Sequence, residues 1–370
     1  MINQQLAEIS NLALVVTIVL YVLALIGFGA DLASSSQRRS DARLAARERQ
    51  EAEQEAQPAT VGAAAGHTSG TTTGGSPDSA DAKGVADAVS AGDVTDPAGA
   101  EHVAAGTMTA QRFAFVLTSA ATVLHLAGVI TRALATQRVP WANMYEFATT
   151  STAIVMVAFL AFSIRRTELR ALGTFVVGPV LLVLLLAQTF WIVPAAELTP
   201  SLQNSHWIYI HISVAVIATA LSILGAVVAS LQLLQARHER ALVEKADAGE
   251  EHPEHWGRFG HVLDRLPSST VLESLSFRIH SVAFVCWTFT LIFGAIWARE
   301  AWGRFWGWDP KEVWTFIIWV IYAAYLHARA TGGFRGSRAA GLALAGFVAV
   351  VFNYTIVNTV INGLHSYSGL

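Results

Sequence analysis

Charged side chains and cysteine are both scarce in this sequence. Only 14% of the 370 residues are charged and the formal net charge is −3, whereas soluble proteins contain about 25% charged residues. A nucleic-acid-binding protein would concentrate its basic residues on one face, so this class is excluded. The single cysteine, Cys286, lies within an apolar run. A disulfide framework, a CxxC redox pair and a cluster of thiolate metal ligands are therefore excluded as well.

Long apolar runs are what the sequence has instead. Hydrophobic residues make up 53% of the chain and the mean hydropathy is +0.46. A membrane-spanning helix needs roughly 20 mostly apolar residues. The sequence therefore predicts an all-α integral membrane protein with about eight transmembrane helices, at residues 11–30, 112–134, 147–164, 172–191, 209–234, 279–298, 313–328 and 341–361.

The loops between these segments differ in charge, which predicts the orientation. Basic residues collect on the cytoplasmic side of a membrane, and here they follow the first, third, fifth and seventh segments. The alternate loops contain most of the tryptophans that lie outside the segments, so we expect them to face outward, with the N- and C-termini both outside. Residues 1–10 contain Glu8 and no basic residue, which favours an uncleaved anchor over a signal peptide.

Composition divides the chain into three parts. Residues 1–33 form an N-terminal transmembrane anchor, and residues 111–370 form the main transmembrane domain. Residues 34–110 are rich in Ala, Gly, Ser, Thr, Asp and Glu, and they contain too little apolar surface to offset the entropy of ordering. They are predicted to be a disordered cytoplasmic linker.

A second cytoplasmic insert is predicted at residues 236–277. Apolar residues recur there at helical spacing, which suits a helix on the membrane surface: Trp256, Phe259, Val262, Leu263 and Leu266. The insert also contains three histidines and two glutamates: His252, His255, His261, Glu251 and Glu254. They are interpreted either as solvated loop residues or, alternatively, as a metal site. The spacing of four ligands that is typical of zinc sites is not evident.

Residues 302–314, WGRFWGWDPKEVW, are called the tryptophan segment below. Anchoring at the membrane interface explains tryptophans, but it does not explain the glycines. Gly303 and Gly307 remove side chains where a flat molecule would lie against the backbone, and three indoles surround them. We expect a shelf for a large planar ligand, formed with Trp302, Trp306 and Trp308.

The same segment contains the start signal of a helix. Asp309 at the N-cap, Pro310 at the first helical position and Glu312 at the third form a predicted capping box. Asp309 either serves only as this cap or also fixes the neighbouring shelf. Arg304 and Lys311 are candidates to meet carboxylates on the ligand.

Histidines lie on the same predicted side as the tryptophans. His206 and His211 begin the fifth segment in NSHWIYIHI, and His365 follows the eighth in NGLHSYSGL. Two imidazoles on either face of a planar macrocycle give the six-coordinate iron of a bis-histidine haem. His327, at the inner end of the seventh segment, is either another ligand or a cation at a helix C-terminus. His125 and His280 are interpreted as packing residues.

Four stretches together resemble a known family, the haem-handling proteins of cytochrome c maturation that carry the tryptophan-rich WWD signature, of the CcsA or ResC type (system II). The stretches are PWANMYEF, HWIYIHI, GAIWAREAWGRFWGWDPKEVWTFIIWVIYAAYLHAR and NGLHSYSG, between Pro140 and Gly369. The third is the most specific. The linker and the 236–277 insert match no motif of the family.

The resemblance implies a function. Such proteins carry haem b across the bacterial plasma membrane and present it on the extracytoplasmic face to an apocytochrome c with a CxxCH motif, as the membrane component of a cytochrome c synthase (haem lyase) complex. It implies that His211 and His365 are the outer axial ligands and His327 a transmembrane ligand, completed by a ResB-type partner. His206 lies only five residues before His211, so the choice of the outer ligand between these two stays open. On a helix, residues five apart point to different sides.

Two functions of other classes remain as alternatives. A membrane b-type cytochrome that transfers electrons needs pairs of histidines at matching depths on facing helices, and the sequence shows no such pair. A transporter without haem would use the aromatic loop only as a gate. Within the family, a system I haem-handling protein is the further alternative, but the terminal GLHSY favours system II.

Overall fold

The computed structural model describes residues 2–56, 109–197, 205–250, 253–331 and 333–365. Contacts divide the chain into two units, Met1–Gln37 with Thr109–Leu370, and Arg38–Met108. Every regular element in the described ranges is helical. The helices are α1 (Gln4–Ala56), α2 (Ala110–Thr136), α3 (Met144–Arg165), α4 (Gly173–Phe190), α5 (Trp207–Asp247), α6 (Gly257–Leu263), α7 (Ser269–Trp302), α8 (Pro310–Ala330), α9 (Ser337–Tyr354) and α10 (Ile356–Thr359), with a 3₁₀ turn at Thr167–Leu172 before α4.

The described ranges contain eight helical segments that are long and apolar enough to cross a membrane, which confirms the predicted all-α, multi-pass architecture. The helices extend beyond the predicted segments, for example in α5, which continues from the predicted end at residue 234 to Asp247. Hydropathy detects only the part of a helix that suits lipid. The polar continuation of α5 is rich in Ala, Glu, Arg and Lys, which are good helix formers in water.

The predicted linker differs from the structure at its start. Residues 34–56 continue α1 as a helix, and the reason is again local, because this stretch consists largely of Ala, Arg, Glu and Gln. The prediction of disorder for residues 57–108 lies outside the described residues.

Helices α5 and α7 form the most extensive helix pair. A Cβ atom on Gly225 of α5 would lie 2.5 Å from the ring of His280 of α7, so glycine allows the two helices to approach. Across the same pair, the indole N–H of Trp287 donates to Ser222 Oγ at 3.1 Å. Small residues and hydrogen bonds of this kind hold helices together where lipid provides no hydrophobic driving force.

The predicted surface helix of the insert is only partly at a surface. Helix α6 forms there, with Trp256 and Phe259 exposed, but Leu263 and Leu266 pack into the main core. The alternative of a metal site in the insert has no support among the residues that the structure describes, since no three potential ligands come together there. His252 and Glu251 lie outside those residues.

A buried ionic cluster fixes the loop between α2 and α3. Glu146 is fully buried and accepts from Arg132 Nε at 3.2 Å and from Arg138 Nη1 at 2.7 Å. The backbone N–H of Ala142 donates to the same carboxylate at 3.0 Å. A buried charge is tolerated when it is paired and hydrogen bonded in this way. The cluster therefore holds Trp141 and its neighbours at one end of the helix bundle.

Candidate functional site

A cavity opens at one end of the bundle, where α3, α5 and α8 begin and α7 and α9 end. This is the end that the loop charges predict to face outward. Its lining includes His211, Trp297, Trp306, Lys311, Asn353 and His365. The structure thus brings two of the predicted iron ligands and one predicted shelf tryptophan into the same cavity.

His211 lies in the second turn of α5, and its ring is held by α7. Nδ1 lies 3.0 Å from the carbonyl oxygen of Thr290. A carbonyl only accepts hydrogen bonds, so Nδ1 carries the proton, and in the neutral ring the lone pair is on Nε2. Gly294, one turn along α7, makes room for this ring, since a Cβ atom there would lie 2.8 Å from Cε1 of His211.

His365 is oriented by a carboxylate. Its Nδ1 lies 2.7 Å from Oδ2 of Asp309, and both side chains are largely buried. This hydrogen bond places the proton on Nδ1 and the lone pair of the neutral ring on Nε2, an arrangement common around metal-bound histidines. Both imidazoles are therefore in the tautomer that coordination of iron through Nε2 requires.

Asp309 combines this contact with the predicted capping role. The capping box with Glu312 is present, which confirms the sequence interpretation of the start of α8. The carboxylate also accepts from the backbone N–H of Leu364. Burial by itself raises the pKa of Asp309, but the hydrogen bonds from His365 and from Leu364 outweigh burial and lower the pKa below its usual value. The carboxylate is thus held ionised as an acceptor for His365.

Trp297 contacts both histidines, and the sequence interpretation missed it. Its ring is parallel to that of His211, at a centroid distance of 6.1 Å and an angle of 9°. It meets His365 edge-on at 5.8 Å and Trp302 at 4.6 Å. The side chain is 1% exposed, and its indole N–H has no acceptor among the described residues. Its position in GAIWAREAW, five residues before Trp302, was the available signal.

The glycines of the tryptophan segment have structural reasons that differ from the predicted shelf. Gly303 ends α7 with a φ of 74°, a conformation that favours glycine. At Gly307 the space of a side chain is filled by the Arg304 guanidinium, which also lies 3.7 Å from Glu312. Trp302 contacts His365 at 4.9 Å, whereas Trp308 is 76% exposed. Both glycines therefore shape the loop itself.

The remaining histidine candidates lie outside the cavity. His206 precedes α5 and is exposed, so of the two candidates at this helix only His211 lines the cavity. His327 is exposed near the end of α8. It lies 15 residues beyond Glu312, which is about 22 Å along a helix that rises 1.5 Å per residue. His327 therefore belongs to the opposite end of the bundle.

The size of the cavity limits how a large ligand would enter. Its volume is about 170 Å³, below the roughly 300–1,000 Å³ of typical small-molecule pockets. A porphyrin therefore fits only if it protrudes from the opening or if side chains at the rim move. Phe305, which is 54% exposed, and Trp306 lie in the loop that forms this rim.

Comparison with known proteins shows which family this chain is similar to. The sequence profile of the family described as "Cytochrome C assembly protein" matches residues 108–365. A relative named "Cytochrome c biogenesis protein CcsA" from Prochlorococcus marinus is 32% identical over 268 residues, which cover 68% of this chain and 83% of the relative.

Two further relatives with the same printed name match a shorter part. The protein from Parasynechococcus marenigrum is 39% identical over 179 residues, covering 47% of this chain and 58% of the relative. The protein from Chlamydomonas reinhardtii is 38% identical over 173 residues, covering 47% of this chain and 43% of the relative. The chain thus spans about half the length of these two relatives.

Proposed function

The chain belongs to the family of cytochrome c assembly proteins and is of the CcsA type, and from this premise we propose that it holds haem b at the cavity for attachment to apocytochrome c. Cytochrome c biogenesis and an involvement of haem follow from the family. The more specific assignment rests on one observation: His211 and His365 enter the same cavity, and each is held through Nδ1 by an acceptor from another segment.

These two side chains fit the demands of an iron ligand. Neutral imidazoles whose Nδ1–H is fixed by a carbonyl or a carboxylate are oriented and made more basic. Both lie in aromatic surroundings, beside Trp297 and Trp302, where a flat apolar ring system is stabilised by contact. We assign His211 and His365 as the axial ligands of the outer haem.

The chemistry of attachment belongs to haem itself, whose vinyl groups add the two cysteine thiols of a CxxCH motif to give thioethers. The residues of this chain bind and orient. They hold the ring system in one place, so that the thiols of a docked apocytochrome meet the vinyl groups in a fixed geometry. In this proposal the chain is the membrane component of a cytochrome c synthase complex in the bacterial plasma membrane, with the tryptophan segment on the extracytoplasmic face.

The position of His327 is the reason for proposing a ResB-type partner subunit. It is exposed on α8, far from the cavity, and ionisable residues within membrane helices are rare and commonly functional. We propose that His327 binds haem arriving from the opposite side of the membrane, and that a ResB-type subunit provides the second ligand. The exposed ring leaves a partner helix room to approach.

The visible spectrum of the purified protein tests the function. We expect a Soret band and the sharp bands of low-spin ferrous haem with two histidine ligands, with more haem when a ResB-type subunit is purified together with the chain. A transporter without haem predicts no Soret band. Absence of the band in both preparations would contradict the proposal.

Replacement of Gly294 by alanine tests the placement of His211. The added Cβ atom would lie 2.8 Å from Cε1 of the imidazole and displace it, so we expect roughly a 10-fold loss of haem affinity, comparable to other disturbed metal-ligand supports. Haem titration followed by the Soret band measures the loss. Gly178→Ala is the matched control, because a Cβ atom there has nothing within 4 Å. Equal affinities of the two variants would show that Gly294 does not position His211.

A further inference from the structure

Lys311 places a positive charge in the cavity beside the two histidines. It is the second residue of α8, and its half-buried side chain lines the cavity. The ammonium nitrogen donates to the carbonyl oxygen of Asn353 at 2.8 Å and to Oδ1 of Asn358 at 2.7 Å. These acceptors lie at the end of α9 and in α10, so contacts from outside α8 hold the ammonium in place.

The acidic residues next to Lys311 accept hydrogen bonds from other donors. Asp309 accepts from the side chain of His365 and from the backbone N–H groups of Leu364 and Lys311. Glu312 accepts from the backbone N–H groups of Gly307 and Asp309 and lies beside Arg304. Among the described residues, the ammonium of Lys311 is hydrogen bonded to neutral oxygens, and the Asp309 carboxylate acts on it through space, although such a charge in apolar surroundings is stabilised most by an anion in direct contact.

The other cation of the tryptophan segment, Arg304, is not among the residues that line the cavity. The guanidinium of Arg304 covers Gly307, lies near Glu312 and is 5.9 Å from the ring of Trp302. It does not line the cavity, whereas Lys311 does. Lys311 is therefore the cation in position to meet an anionic group on a bound molecule.

From these contacts, and on the basis of the proposed function, we propose that Lys311 binds a carboxylate of haem and so determines which edge of the ring system faces the opening. The two carboxylates of haem b lie on the edge opposite the two vinyl groups. A fixed ammonium that binds the carboxylate edge turns the vinyl edge away from α8. Lys311 is in this sense a specificity-determining and positioning residue for the attachment reaction.

Competition between haem and haem dimethyl ester, which lacks the carboxylate charge, tests this role. We expect the wild-type protein to bind haem more tightly than the ester by roughly 10-fold to 100-fold, the effect of one charged hydrogen bond. Lys311→Gln keeps donors for Asn353 and Asn358 but removes the charge, so its preference should fall close to 1. Lys311→Arg should restore most of the preference, and Lys245→Met, an exposed lysine in the insert, should leave it unchanged.

The spectrum separates this inference from the proposed function. A Lys311→Gln protein that retains the bis-histidine spectrum but no longer distinguishes haem from its ester supports the assignment. An unchanged preference in that variant would overturn it and leave the ligation by His211 and His365 standing. A wild-type protein without a Soret band would overturn the proposed function, and the role of Lys311 with it.

Discussion

Alanine at position 211 or at position 365 is expected to abolish cytochrome c assembly. Each substitution removes one of two axial ligands and leaves a five-coordinate or weakly bound iron in the cavity. We expect haem in the purified complex to fall by at least roughly 10-fold to 100-fold, since loss of a ligand costs no less than loss of its support. Holocytochrome c, measured by haem staining of cell extracts, should fall to the background of a strain that lacks the protein.

His206→Ala is the control for this experiment. His206 lies five residues before His211, is exposed and does not line the cavity. Its substitution should leave haem content and cytochrome c unchanged. Added imidazole should restore part of the Soret band and the low-spin spectrum in His211→Ala and in His365→Ala, because the small ring fills the space of the missing side chain. Normal maturation in both alanine variants would refute the ligand assignment.

Asparagine at position 309 is expected to impair the site almost as severely as the loss of His365. Asparagine is as good an N-cap as aspartate, so α8 should begin as before, with the amide oxygen in the place of Oδ2, which accepts from the backbone N–H of Lys311 and from Nδ1 of His365. The amide nitrogen then replaces Oδ1 and faces the backbone N–H of Leu364, so two donors meet where the carboxylate accepted. The segment that carries His365 loses this contact, and its imidazole keeps only a neutral acceptor, which makes it a less basic and less firmly oriented ligand. A roughly 10-fold to 100-fold loss of haem affinity is expected, with the fold intact.

This variant decides between the two roles of Asp309. If the residue served only as a cap, Asp309→Asn would be nearly silent and Asp309→Ala would cost roughly 0.5–2 kcal/mol of stability. The relevant measurements are the haem titration and the thermal unfolding midpoint of the same preparations. Loss of haem affinity with an unchanged midpoint assigns Asp309 to the positioning of His365. Haem affinity and a bis-histidine spectrum equal to wild type would assign it to capping alone.

The membrane architecture was predictable because it depends on local properties. A stretch of about 20 apolar residues has to be a helix in lipid, since every backbone polar group must be satisfied within the segment. The capping box at Asp309 was equally readable, because its partners lie within three residues. The helix ends were not, because the polar turns beyond the hydrophobic core are helical for reasons that hydropathy does not measure.

The site was predictable only in part. His211, His365 and Trp306 were named from the sequence, and the structure places all three at the cavity. Trp297 and Gly294 were missed, because a tryptophan and a glycine within an apolar helix look the same whether they face lipid or a neighbouring imidazole. Trp308 was included because of its neighbours in the sequence, yet its side chain is largely exposed.

The sequence alone determined that the described ranges contain eight helices long and apolar enough to cross a membrane, where α8 begins, and which residue types are available at its loops. Each of these depends on contacts within a few residues, or on the transfer of apolar side chains into lipid. Only the tertiary structure decided that Asp309 meets His365 across 56 positions of sequence, that Thr290 fixes His211, and that Asn353 and Asn358 hold Lys311. Such pairings depend on how the helices pack, because hydrogen bonds form only when donor and acceptor lie about 3 Å apart.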